Sequence, residues 1–170
     1  MSESKYDNVQ ITYRHDTEYW ENVDQNNPNS WTQVSISVDS EQVYGRDNGG
    51  VTGRACTTTL ELLESVEAIN RGERYIVEFE FGPSWLTAEP DGEQTIKIVR
   101  CATFKAAKDP DERLNIDRAY TVPKDAWENE VVRVARDFVK EVQNRNPELA
   151  DNESICAIRS KVDEIDHRES

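Results

Sequence analysis

The sequence predicts an α+β domain: a mainly antiparallel sheet of about five strands, in the order ββαβββαα, with helices packed on one face. Three observations carry that expectation. Short segments such as Trp31–Val38 alternate apolar and polar residues with a period of two. Longer segments, as around Trp127, Val131, Val134 and Phe138, repeat apolar residues every three or four positions. Between them stand turn residues, of which Asp91-Gly92 is the strongest hairpin signal. The expected domain runs over 8–166, with flexible termini at 1–7 and 167–170.

In chain order, Val9, Ile11 and Tyr13 alternate with Gln10 and Thr12, which predicts the first strand. Asp24 to Asn29 is rich in turn residues. Val34, Ile36 and Val38 then share one face of a second strand, antiparallel to the first, which Val43-Tyr44 extends or restarts. Gly45 to Gly53 reads as a flexible crossover. Thr58 and Glu61 have the spacing of a capping box, so a helix starts there. Its stripe includes Leu60, Leu63, Val66 and Ile69, and Gly72 suits the left-handed position that ends it. Arg74 to Phe81 predicts a strand with Tyr75, Val77, Phe79 and Phe81 on one side and Glu78 and Glu80 on the other. Trp85-Leu86 is expected to tuck under the sheet. Pro90 to Glu93 turns into a return strand, Thr95–Cys101, and Lys108 to Glu112 turns again. Arg118–Val122 predicts a last strand. Pro123 opens a long helix, as proline suits a first turn, and Asn144 to Pro147 ends it. Ile155, Ile158, Val162 and Ile165 mark a final helix from about residue 152.

The charge narrows the function. Of 170 residues, 34 are acidic and 20 basic, a net charge of −14. Only seven of the basic residues are lysine. Acids spread along the chain with little lysine fit a salt-rich cytoplasm, where carboxylates hold water and ions screen their repulsion. The same acidity suits a partner with a basic surface. It opposes direct binding of nucleic acid, whose phosphates it repels. No apolar run is long enough for a membrane span, and the start Met1–Asn8 lacks the apolar segment of a signal peptide. Cys56, Cys101 and Cys156 are widely spaced, an odd count that points to buried thiols in a reducing, cytoplasmic setting. His15 and His167 have no second ligand at metal spacing, so no metal and no other cofactor is expected.

Motifs with catalytic precedents lack their companions. The glycine-rich segment 45–53 has no Gly-Lys-Ser/Thr ending to place a lysine on phosphate. Glu78 and Glu80 would stand about 7 Å apart on a strand, but carboxylates alternating with aromatic residues mark a solvated sheet face or a negative recognition face. His15-Asp16 has no neighbouring nucleophile. Cys56 lies just before a helix, which can lower a thiol pKa, yet no histidine is near it in sequence. No catalytic residue is assigned. Trp20 and Trp31 flank the polar loop 21–30, so one of them is a candidate interface anchor.

The order of these motifs resembles the WapI-like immunity proteins, which neutralise contact-dependent toxins in the cytosol. The resemblance covers about residues 8–145. Its residues are the strand Trp31-Thr32-Gln33-Val34-Ser35-Ile36-Ser37-Val38 and the helix start Thr59-Leu60-Glu61-Leu62-Leu63 with its ending Ile69-Asn70-Arg71-Gly72. The strand end Phe79-Glu80-Phe81-Gly82-Pro83-Ser84-Trp85-Leu86, then Ile96-Lys97-Ile98, Tyr120-Thr121-Val122 and the helix from Pro123 fill the remaining places. The chain departs from that pattern in its glycine-rich loop, in Gly82, and in the helix at 152–166. The resemblance implies inhibition by stoichiometric binding, without turnover. The expected function is therefore occlusion of a basic protein partner, such as a nuclease-type toxin, through Glu78, Glu80, Asp91, Asp111 and Trp20. Two alternatives stay open: a self-associating subunit, for instance a homodimer through the C-terminal helix, and a small-ligand or enzyme domain with a pocket between sheet and helices.

Overall fold

The computed structural model describes residues 9–44, 51–78 and 85–169. The chain is α+β, with antiparallel strands packed against helices. The described strands number eight and form two four-stranded sheets, against the single sheet of about five expected.

The first sheet starts with β1 (Val9–Arg14), which pairs along its whole length with β2 (Trp31–Val38). Between them stands a helix the sequence reading left unassigned, α1 (Thr17–Asp24). It is short, but Asp16 caps it by accepting from the Tyr19 amide at 2.8 Å, and Tyr19 and Val23, one turn apart, are buried. The other side of β2 is covered in two pieces. β3 (Glu41–Tyr44) pairs with its C-terminal end and β4 (Val51–Arg54) with its N-terminal end. The expected crossover 45–53 thus ends in a strand, and its first six residues, 45–50, lie outside the described ones.

Helix α2 (Ala55–Asn70) begins three residues before the expected capping box. Thr58 lies inside it, buried, and the Arg54 side chain at the N-cap does not cap the helix. The free amides are met from the distant loop instead. Ser30 carbonyl accepts from Ala55, and Asn29 Oδ1 accepts from Cys56 and Thr57, both at 3.0 Å. At the other end Gly72 adopts φ +75°, and its amide and that of Glu73 close onto Ile69 and Ala68, which is the glycine stop the sequence predicts.

The second sheet runs β5 (Tyr75–Val77), β6 (Trp85–Pro90), β7 (Thr95–Cys101) and β8 (Arg118–Pro123) in spatial order. Trp85-Leu86, expected to tuck beneath the sheet, opens a strand of it. The Asp91-Gly92 hairpin forms as predicted, with Gly92 at φ +90°. One face of this sheet, with Leu86, Ala88, Ile98 and Val122, joins the main core. The other face carries Val99 and Cys101 and is covered by a short helix, α3 (Phe104–Lys108), through Ala106 and Ala107. Helices therefore stand on both faces of this sheet. Glu89, on the same face, is clamped by Arg113 and Arg74.

The long helix α4 (Lys124–Arg145) and the last helix α5 (Glu153–Glu169) complete the layer. Trp127, Val131, Val134, Phe138 and Val142 are all buried, as the stripe predicts. Trp127 donates to Ser65 Oγ at 3.0 Å, tying α4 to α2. Ile155, Ile158, Val162 and Ile165 of α5 are buried in the same core, packed with α2 and α4. The apolar stripe of α5 is thus part of the chain's own core.

Candidate functional site

Two regions gather groups that burial alone does not explain. The first is a cleft between β1 and α4 of about 230 Å³, walled by Tyr13, His15 and Phe138 and rimmed by Arg133, Asp137 and Glu141. Tyr13 and His15 continue the inward alternation of Val9 and Ile11. Val134 and Phe138 belong to the inner stripe of α4, and Glu141 stands at its exposed edge.

His15 sits in an aromatic nest. Its ring stacks on Tyr19 at 4.1 Å between centroids and meets Trp20 edge-on at 5.2 Å. Thr32 Oγ1 donates its one proton to Arg14 carbonyl at 3.1 Å and lies 2.7 Å from His15 Nδ1. Burial pushes the His15 pKa down to about 4, against a weaker opposing pull from Asp16, so the ring is neutral near pH 7. The phenols are fixed likewise. Thr59 Oγ1 donates to Ala55 carbonyl, so Tyr13 donates to Thr59 at 2.8 Å, while Tyr19 donates to Pro28 carbonyl at 2.9 Å. Burial holds both phenols far above the usual range.

On the cleft rim the cations are used locally. Arg133 binds Glu130 at 2.6 Å and Asp137 at 2.8 Å, and donates to the Ile11 carbonyl at 3.1 Å. Glu130 Oε2 accepts from the Ile11 amide at 2.7 Å. This pair closes the open edge of β1 at Ile11. Glu141 has its carboxyl raised by partial burial and then by the Asp137 charge. No cation pairs with Glu141 among the described residues.

The second region is acidic. Glu61 and Glu64 on α2 face Glu78 beyond β5. Tyr75 hydroxyl donates to Glu61 Oε2, yet burial, Glu78 and Glu64 together raise the Glu61 carboxyl pKa. Lys161 of α5 joins Glu64 and Glu67. Glu61 is the member sequence reasoning missed, because its capping role was expected to occupy it.

Of the residues expected to meet a partner, Glu78, Asp91 and Asp111 stand at different places around the second sheet. Glu78 is exposed beside Glu61 and Glu64. Glu80 lies outside the described residues. Asp91 stands in the hairpin at the opposite end of β6, six residues on from Trp85, or roughly 20 Å along an extended strand. Asp111 is exposed in the 3₁₀ turn Pro110–Glu112 after α3, on the sheet face away from the main core. Trp20 is half-buried against His15, with Arg145 over its ring at 5.8 Å. The more exposed tryptophan is Trp31, at 38%, under Arg54.

The remaining motifs resolve structurally. Burial pushes the Cys56 thiol up to about 12, so the helix end does not activate it. Cys101 is also buried and Cys156 half-buried, and all three are free thiols. Among the described residues no group of three or more His, Cys, Asp or Glu is placed to hold a metal ion, and no helix is long and apolar enough to cross a membrane. No protein-family profile matches the chain, and no curated protein or solved structure matches it.

Proposed function

We propose that this chain works by binding, covering a basic surface on another protein, with the acidic patch of α2 and β5 at the contact. The crowding of Glu61 by Glu64 and Glu78 carries the reading. Like charges drawn together beside a half-buried carboxyl cost stability when the protein is alone, and a cationic partner relieves them. Lys161 pairs with Glu64 and Glu67, but among the described residues no cation pairs with Glu61 or Glu78: Arg113 serves Glu89, Arg145 serves Asp24, Arg118 serves Glu41 and Arg136 serves Asp166. The patch includes Glu78, one of the residues the sequence singles out, and replaces a surface running to Asp91 and Asp111. The resemblance to WapI-like immunity proteins supports the same class of action, stoichiometric inhibition of a toxin in the cytoplasm. The acid-rich, lysine-poor composition adds adaptation to high salt.

The test is purification from the native host in high salt with the tagged chain as bait. The reading expects one basic protein in stoichiometric amount, bound more weakly by a Glu61→Lys, Glu78→Lys variant. Unchanged affinity in that variant places the contact elsewhere, and recovery of no stable protein partner ends the binding reading.

A further inference from the structure

We propose that the cleft between β1 and α4 receives an arginine side chain of the partner, its guanidinium held by Glu141 and Asp137 against the Tyr13 ring. The inference rests on the binding reading above and gives it a second contact. The protein already shows how it holds such a group. Arg133 is seated between the same two elements, donating to the Ile11 carbonyl while Glu130 and Asp137 flank it.

One register further along, the arrangement repeats without its cation. Two residues along β1, Tyr13 takes the place of Ile11, an advance of roughly 6.6 Å. One turn along α4, the Asp137–Glu141 pair takes the place of Arg133–Asp137, an advance of about 6 Å. Strand and helix run the same way here, since Phe138 packs on both Tyr13 and His15. Ile11 turns its amide and carbonyl away from β2 toward α4. By the two-residue alternation of an antiparallel strand, Tyr13 does the same. Its carbonyl is then an acceptor at the cleft, as that of Ile11 is for Arg133.

The surroundings suit a cation. Tyr13, half-buried, lines the cleft with its ring, and Phe138, which meets it at 5.9 Å and 70°, closes the floor almost fully buried. His15 is neutral and does not repel it. Glu141, partly withdrawn from water beside Asp137, gains from a positive neighbour. The volume of about 230 Å³ falls below the roughly 300–1,000 Å³ of pockets that enclose a whole small molecule. That is space for one side chain. A planar donor fork answers a carbonyl and two carboxylates better than an ammonium does.

The test uses the full chain, isotopically labelled, titrated with N-acetyl-arginine-N-methylamide and followed by amide chemical shifts. Saturable shifts at Tyr13, His15 and Glu141 are expected, with affinity lowered about tenfold by Glu141→Gln, which is about 1.4 kcal/mol. The citrulline analogue, equal in shape but uncharged, is expected to give no saturable shift. Shifts that spread over the acidic surface, or an affinity untouched by Glu141→Gln, overturn the proposal. Equal affinity for the blocked lysine analogue overturns the guanidinium assignment. The two proposals fail separately. Glu61→Gln with Glu78→Gln is expected to leave cleft binding unchanged while weakening the partner complex. Loss of cleft binding with that complex intact removes only the cleft.

Discussion

Replacing Arg113 by methionine isolates the cost of the Glu89 clamp. Glu89 is on the α3-covered face of the second sheet, its side chain 11% accessible and that of Arg113 19%. Arg113 holds both carboxylate oxygens, Nη1 reaching Oε1 at 3.1 Å, and its Nε reaches the Ala106 carbonyl of α3 at 3.4 Å. Without it Glu89 keeps, among the described residues, only Arg74, at 3.5 Å and with a side chain 32% accessible. Stripping one partner from a buried ion pair costs about 3–5 kcal/mol, because the other charge stays in low dielectric without compensation. Residual help from Arg74 places Arg113→Met near the lower end, about 3 kcal/mol. Adding Glu89→Leu removes the stranded charge and is expected to recover most of the loss, since a hydrophobic replacement of a buried pair is often neutral or better. Urea denaturation of the four proteins of this cycle, at low and high salt, measures both terms. A loss below about 1 kcal/mol for the single change, or a double variant no better than it, refutes the reasoning.

Three further outcomes are expected. The folded His15 has its pKa near 4 against 6.5 for the free side chain. The unfolded chain therefore binds the extra proton first, and stability present above pH 6.5 is lost as pH falls toward 4; His15→Gln is expected to flatten that slope in urea midpoints between pH 7 and 4.5. Gly53→Ala brings a Cβ to 2.8 Å from Thr58 Oγ1, a buried side chain at the start of α2, and is expected to lower the urea midpoint by an amount equivalent to about 1–3 kcal/mol. A disulfide-exchange reagent at pH 8 is expected to modify Cys156 first in the folded chain and all three thiols in urea, since Cys56 and Cys101 are buried and their thiols raised by burial; rapid reaction at Cys56 contradicts the burial argument.

Periodicity made much of the fold legible. The stripes of α4 and α5 and the faces of β1, β2 and β7 are core as their spacing dictates, because long amphipathic elements average over local detail. The start of α2 was not legible. Its amides are satisfied by Asn29 and Ser30, more than twenty residues upstream, and no local spacing reports a cap of that kind. Helix α1 carries little signal in the sequence, since two buried residues one turn apart stand out weakly in a polar segment. The cleft has a signal in the sequence: His15 extends the inward series Val9, Ile11 and Tyr13 by one more position. The approach of Glu61 to Glu78 joins α2 to the residue just after β5, and only the packing of helix against strand brings them together.

The claim at the centre is that this chain acts by covering a basic partner, with its acids steering the encounter. The direct measurement is the association rate constant of the purified complex across a range of ionic strength, for the natural chain and for the Glu61→Lys, Glu78→Lys variant. The account predicts a rate that falls steeply with salt in the natural chain and is both slower and flatter in the variant. Equal rates and equal salt dependence in the two proteins would contradict it.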